Sequence, residues 1–227
     1  MATKSLYFHA IAGLCLIASP AGAATQEDVG SWLNVTAIGT IGRVAYFAEV
    51  QPRYSAKAGQ IQQVLLRPAV GYVFSPSVTG YAGYAHVILP VDGAKDRNEE
   101  RLFLQLNWTL KNVAGGTILS RTRLEHRRLS NGNDTGWRMR EMVRYTHPIG
   151  DPKTTRALVY LEPFFALNDT DWGARSGFDQ LRSFAGFEVP LPGRSTMDIG
   201  YLNQFINDPG GRSRMNHIAS VTFWLRP

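Results

Sequence analysis

Polar and apolar side chains alternate along most of the chain. Between positions 99 and 111 the odd residues are Glu99, Arg101, Phe103, Gln105, Asn107, Thr109 and Lys111, and the even residues from 102 are Leu102, Leu104, Leu106, Trp108 and Leu110. Successive side chains of a strand point to opposite faces, so this segment predicts a strand with one wet and one greasy face. The next segment sets Arg121, Arg123, Glu125 and Arg127 against Ile118, Ser120, Thr122, Leu124 and His126. In 137–147, Arg138, Arg140 and Arg144 oppose Met139, Val143 and Tyr145, and Glu141 breaks the pattern. From Arg156, the residues Arg156, Tyr160, Glu162 and Asn168 oppose Ala157, Val159, Leu161, Pro163, Phe165 and Leu167.

Seven further segments carry the same signal: 31–39, 44–54, 61–74, 78–89, 178–191, 196–207 and 215–225. Gly, Pro, Asn and Asp clusters separate them, and no part of the chain after residue 24 repeats every 3.6 residues. The fold predicted is therefore all-β, an antiparallel transmembrane barrel of 10–12 strands with a polar, Arg/Glu-rich interior. Eleven counted strands conflict with the even number of bacterial single-chain barrels. An extra short strand near 25–30, or a misread hairpin at the N-terminal end, would restore parity.

Alternation alone fits a soluble barrel as well, in which the apolar set points inward around a ligand and the charges face water. A membrane barrel reverses the two sets. Segments of 9 to 14 residues match the roughly 9–11 needed to cross a bilayer at a tilt. Trp32, Tyr54, Tyr72, Trp137, Tyr145, Phe165, Tyr201, Phe223 and Trp224 lie near segment ends, where an interfacial girdle would sit. Both features favour the membrane.

The N-terminus changes the picture of location. Lys4 precedes an apolar run from Leu6 to Ile17 and the small residues Ala18-Ser19-Pro20-Ala21-Gly22-Ala23-Ala24, the layout of a secretory signal peptide. The domains expected are thus a signal peptide over 1–24 and a barrel over 25–227, exported to the bacterial outer membrane. The single cysteine, Cys15, lies in the signal, so the mature chain offers no disulfide, Cys metal site or Cys nucleophile. Lys4 is the one charged residue of the signal, and its loss lowers the net charge from +6 to +5. For an exported protein without a basic run, that excess suggests lipid or sugar phosphate rather than nucleic acid.

Taken together, a set of local pieces resembles the bacterial domain of unknown function 2490 family, over nearly the whole mature length. The pieces are Trp32, Glu49 with Arg53, Leu66-Arg67-Pro68-Ala69-Val70-Gly71-Tyr72, positions 80–84, and Glu100-Arg101 with Gln105. They continue with Arg121-Thr122-Arg123-Leu124-Glu125-His126-Arg127, Arg138 with Arg140, Glu162, Asn168, Phe178-Asp179-Gln180 with Arg182, Gly200-Tyr201-Leu202-Asn203-Gln204, and Asn216-His217. The resemblance implies an exported outer-membrane barrel and no established activity. One departure is the ending Phe223-Trp224-Leu225-Arg226-Pro227, where barrel-assembly signals end on an aromatic.

The candidate site is the charged face itself: Glu49, Arg53, Arg67, Arg101, Arg121, Arg123, Glu125, Arg127, Arg138, Arg140, Arg144, Glu162 and Arg182. Such a set either braces neighbouring strands through bidentate Arg–carboxylate pairs or forms an anion path, and the two are compatible. The rows 121–127 and 138–144 are expected to meet across a hairpin, with Glu49, Glu125, Glu162, backbone carbonyls or a bound anion satisfying the excess arginine.

No catalytic residue is assigned. Ser120 and His126 share a face but lie about 20 Å apart along a strand, and neither G-x-S-x-G nor H-E-x-x-H occurs. His86, His126, His147 and His217 read as interfacial or hydrogen-bonded residues. Asp134, Asp169, Asp171 and Asp208 fall in loops without calcium-loop spacing, and no metal or cofactor is expected. The function expected is a non-enzymatic outer-membrane barrel: a narrow pore, transport accessory or envelope-structural protein. Its partners would be outer-membrane lipid and lipopolysaccharide, the barrel-assembly machinery and a small anionic solute. A barrel-embedded enzyme acting on lipid or peptide, or a soluble periplasmic ligand-binding barrel, is the alternative.

Overall fold

The computed structural model describes residues 25–150, 155–208 and 212–227, with Arg212 described by its backbone alone. Residues 1–24, where a signal peptide is expected, lie outside them. Eleven strands follow in order: β1 (Thr25–Ile41), β2 (Val44–Ser55), β3 (Gln60–Ser75), β4 (Val78–Leu89), β5 (Arg97–Val113), β6 (Gly116–Leu129), β7 (Thr135–Pro148), β8 (Arg156–Ala166), β9 (Gly177–Pro190), β10 (Thr196–Asp208) and β11 (Arg212–Leu225). Each pairs with its sequence neighbours, and β1 closes on β11.

The even count is therefore not met. In an up-and-down barrel with an odd number of strands the first and last run the same way, so one ladder has to be parallel. The β1–β11 ladder is parallel, from Thr25↔Ser213 to Ala37↔Leu225, and the other ten are antiparallel. No additional strand lies at 25–30. Those residues extend β1 beyond its ladder with β2, which starts at Gly30↔Ser55, and β11 holds them.

Short turns gather at one end. Gly42-Arg43, Pro76-Ser77 and Ala114-Gly115 each connect strands with two residues. Ala114 (φ 46°) and Gly115 (φ 77°) are both left-handed, as a tight hairpin matched to strand twist requires. The connections at 90–96, 130–134 and 167–176 stand at the other end with the start of β1.

The wall is apolar outside and polar within. Leu102, Leu104, Leu106, Leu110, Val159, Leu161 and Phe165 all point outward and are exposed, Leu104 by 62%. Val70, Tyr72, Phe74, Val143, Ile199 and Tyr201 continue the surface around the barrel. Of the aromatics expected in a girdle, Tyr54, Tyr72, Trp137, Phe165 and Tyr201 are on this outer face. Trp32 and Trp224 are corrections. Trp32 sits in an interior cluster, and Trp224 turns inward to donate from Nε1 to Asp198 at 2.8 Å. Both lie on the inward parity of their strands: β1 begins at Thr25, which sets Trp32 in mid-strand, and at Trp224 the pleat overrides a position near the end of β11.

Eleven strands enclose more space than eight, which side chains just fill, so large groups are needed inside. Trp32, Leu158, Phe184, Leu202 and Ile218 form one buried cluster, with Tyr160 against it. Ala45, Phe47, Ala69, Tyr81 and Phe103 form a second, nearer the short turns. The charged side chains share the interior with these clusters, and Trp32 and Ile218 of the first also line the space among the long connections.

Candidate functional site

All thirteen residues of the charged set point into the barrel, as their shared parity along the strands requires. The tightest part is a belt on β5 to β9. Glu125 accepts from Arg138 Nη2 at 2.6 Å and Arg140 Nη1 at 2.8 Å, with Arg123 Nη1 at 3.8 Å. Glu162 accepts from Arg121 Nη2 and Arg140 Nη2, both at 2.7 Å, and faces Arg182 Nη1 at 3.7 Å. Glu49 pairs with Arg67 at 3.0 Å. Arg123 and Glu125 are each only 1% exposed. Charges buried this deeply are tolerable only when paired and hydrogen-bonded on several sides.

The β6 and β7 rows meet across their hairpin as expected. Register places Arg123 opposite Arg140 and Glu125 opposite Arg138. The directly opposed guanidiniums are kept apart by Glu125 and by neutral acceptors: Arg123 donates from Nε to Gln105 Oε1 at 2.8 Å and from Nη2 to the same oxygen, and its guanidinium lies 4.5 Å from the Phe103 ring centre. Phe164 lies beneath Arg138, Arg140 and Arg182, at 5.2, 4.4 and 4.6 Å. An aromatic face supplies negative potential without the desolvation that a further carboxylate would cost.

The excess of ten arginines over three glutamates in the charged set is smaller in the folded interior. Glu99, on the wet face of β5, holds Arg101 at 2.7 Å and Arg127 at 2.5 Å. Arg138 also reaches Asp179 at 3.4 Å. Toward the short turns, Arg144 binds Asp198 at 2.6 Å and Glu188 at 2.5 Å, and Arg156 reaches Glu188 at 3.3 Å. Parity alone marked Glu99. Glu188 and Asp198 lie near strand ends, where alternation fades, and only cross-strand register brings them to Arg144.

Above the belt a vestibule of about 690 Å³ opens among the long connections. Trp32, Arg53, Arg101, Arg138, Gln180 and Arg182 are among the side chains that line it. Arg53 adjoins a β-bulge at Arg53/Tyr54, a device that re-aims side chains. The β8–β9 connection folds over the rim. Asp171 accepts from the backbone N–H groups of Asn133 (2.7 Å) and Asp134 (3.2 Å), Asp134 accepts from the Asp171 N–H at 2.7 Å, and Trp172 Nε1 donates to the Asp134 carbonyl at 2.9 Å. The Arg127 guanidinium lies 5.0 Å from the Trp172 ring centre. The Ser176 N–H, donating at 2.7 Å, and Arg175 hold the Asp169 carboxyl below its ordinary range. Asp208 pairs with Arg214 at the rim.

The four histidines among the described residues lie on the outer wall. His86 contacts Glu100 at 2.8 Å, His217 contacts Tyr201 Oη at 2.6 Å, His147 contacts Tyr145 Oη at 3.2 Å, and His126 packs edge-on against Trp137. Glu141, which interrupted the alternation, faces outward and accepts from Ser120 Oγ at 2.6 Å and Thr122 Oγ1 at 2.5 Å.

Comparison with known proteins adds two matches. The family described as "Protein of unknown function (DUF2490)" matches residues 29–216. An uncharacterized protein of Methylorubrum extorquens is 43% identical over 223 residues, covering 95% of this chain and 96% of the relative. No solved structure matches.

Proposed function

The chain belongs to the DUF2490 family of proteins of unknown function, and from that premise we propose that it is an outer-membrane barrel with a braced, non-conducting interior. One observation carries the reading: the apolar side of nearly every strand is the outer one. In water, a continuous belt of exposed Leu, Val and aromatic side chains would drive association, whereas hydrocarbon is its natural solvent. A soluble ligand-binding barrel needs the opposite curvature.

Within the membrane reading, the interior favours a brace over a pore. A selective anion path keeps its arginines wet, yet Arg67, Arg101, Arg123, Arg138, Arg140 and Arg182 are each less than a tenth exposed. Most of them are tied to acids on the same or the neighbouring strand, Arg138 also reaches Asp179 two strands away, and Phe, Tyr and Leu side chains fill the space beneath them. The role is then envelope-structural, or solute capture at the vestibule, after insertion by the barrel-assembly machinery. Fractionating Gram-negative cells that express the chain with its own N-terminus tests the placement. Recovery in the outer membrane, with heat-modifiable migration on gels, is the expected result, and release with the periplasm would return the protein to the soluble class.

A further inference from the structure

The vestibule floor holds two guanidinium groups that the barrel's own acids leave short of partners. Arg53 donates from Nε and Nη2 to Gln51 Oε1 at 3.1 and 2.6 Å and from Nη1 to Gln63 Oε1 at 2.5 Å, and among the described residues it has no carboxylate partner. The Arg182 guanidinium makes no hydrogen bond among the described residues, and its Nε is buried without one. Its nearest acid oxygen, Glu162 Oε2 at 3.7 Å, is beyond hydrogen-bond reach, and that carboxylate's Oε1 already holds Arg121 and Arg140. Both guanidiniums lie over the same indole, 3.9 and 4.9 Å from the centre of Trp32. Two cations sharing one ring in a half-enclosed space repel each other, and an anion between them relieves that repulsion.

Neutral donors point to the same ligand. Gln204 Nε2 donates to Gln180 Oε1 at 2.5 Å, and Asn216 Nδ2 donates to Gln204 Oε1 at 3.1 Å. This relay leaves the Gln180 amide N–H groups without an acceptor among the described residues, at the vestibule wall. Eight arginines and four carboxylates line the space, so its potential is positive. The carboxylates are already engaged: Glu99, Asp179 and Asp208 by arginines, and Asp28 by Ser55 Oγ and the Lys57 N–H.

We propose that the vestibule binds a compact oxyanion of the phosphate class, seated at Arg53 and Arg182 against Trp32, with Gln180 as a further donor. A phosphate group at neutral pH carries between one and two negative charges and enough acceptor oxygens for two guanidinium forks and an amide. The phosphate arrives either on a small solute or on a lipid headgroup. The site needs only the folded barrel, so it stands separately from the membrane placement.

Calorimetric titration of the folded barrel in neutral detergent with inorganic phosphate, at constant ionic strength, tests the site. Saturable binding is expected, weakened about tenfold by Arg53→Gln and by Arg182→Gln and less than about twofold by Arg214→Gln at the rim. Neither floor variant strands an acid, because Arg53 has no carboxylate partner and Glu162 keeps Arg121 and Arg140, and heat-modifiable migration checks that each variant is folded. Competition by vesicles containing lipid A would assign the site to a headgroup, and phosphate binding unchanged by them would assign it to a free solute. Folded wild-type protein that binds no phosphate, or floor variants that bind it as well as wild type, would overturn the proposal.

Discussion

At the scale of single residues, the value of a charge depends on which side of the wall it meets. Leu104 is outward and mid-strand, so Leu104→Arg is expected to destabilise the barrel by about 2–4 kcal/mol in lipid, read from urea unfolding in vesicles. Glu162→Gln tests the inner side. It strips Arg121, Arg140 and Arg182 of their shared carboxylate and should cost about 3–5 kcal/mol, the range for breaking a buried charge pair. The exposed Arg214–Asp208 pair is the contrast: Arg214→Gln should change stability by about 1 kcal/mol or less. Equal losses in Glu162→Gln and Arg214→Gln would mean that the belt contributes no more than a surface pair. These opposite fates were legible from parity, since a two-residue period assigns every side chain to one of two faces. Trp32 shows the limit of that reading, because position near the end of its predicted segment suggested a girdle while its parity set it inside.

At the scale of strands, register creates contacts that no local pattern contains. Gly186 and Gly200 stand opposite each other across β9 and β10, which leaves room for Phe184 to stack on Tyr160 at 5.0 Å. A Cβ on Gly200 would lie 2.6 Å from the Gly186 Cα and 2.7 Å from the Phe184 ring. Gly200→Val should therefore lower stability by about 1–3 kcal/mol through overpacking, as a shift in urea midpoint at unchanged slope. Stability unaffected by this change would mean that β9 and β10 part easily. The rim connection offers a pH test. Because the folded state lowers the Asp169 pKa, its hold on Ser176 and Arg175 is complete above the ordinary carboxylate range and lost as pH falls through the lowered value. Protease cleavage in 167–176 should rise over that acid range in wild type, and Asp169→Asn should cleave readily at neutral pH. A cleavage profile that is flat with pH and identical in the variant would remove Asp169 from the hold on this connection.

At the scale of the whole molecule, closure and filling decide between brace and pore. A barrel whose arginines are cross-tied over aromatic filling should give no steady current when reconstituted in a planar bilayer. Loosening the belt with Glu125→Gln should cost folding before it creates conductance, because Arg138 and Arg140 lose a 2.6 and a 2.8 Å partner. Steady current from folded wild-type protein that favours chloride over potassium, and loses the bias when Arg123 and Arg140 become Gln, would instead make the interior an anion path.

By itself, the order of residues determined the strands, the two faces of each and the family. Those properties are local, or sums of local features, and the period of two carries them. The direction of curl, the parallel seam on which the eleven strands close, and the partners of each arginine were decided only by tertiary structure. Curl is invisible to parity, because exchanging inside for outside leaves the alternation unchanged. The seam follows from closure: with eleven strands the ends meet running the same way, and 25–30 become an extension of β1 rather than a strand of their own. Glu188 and Asp198 joined Arg144 for a related reason, since ion pairing across a barrel depends on the stagger between strands, which no single strand encodes.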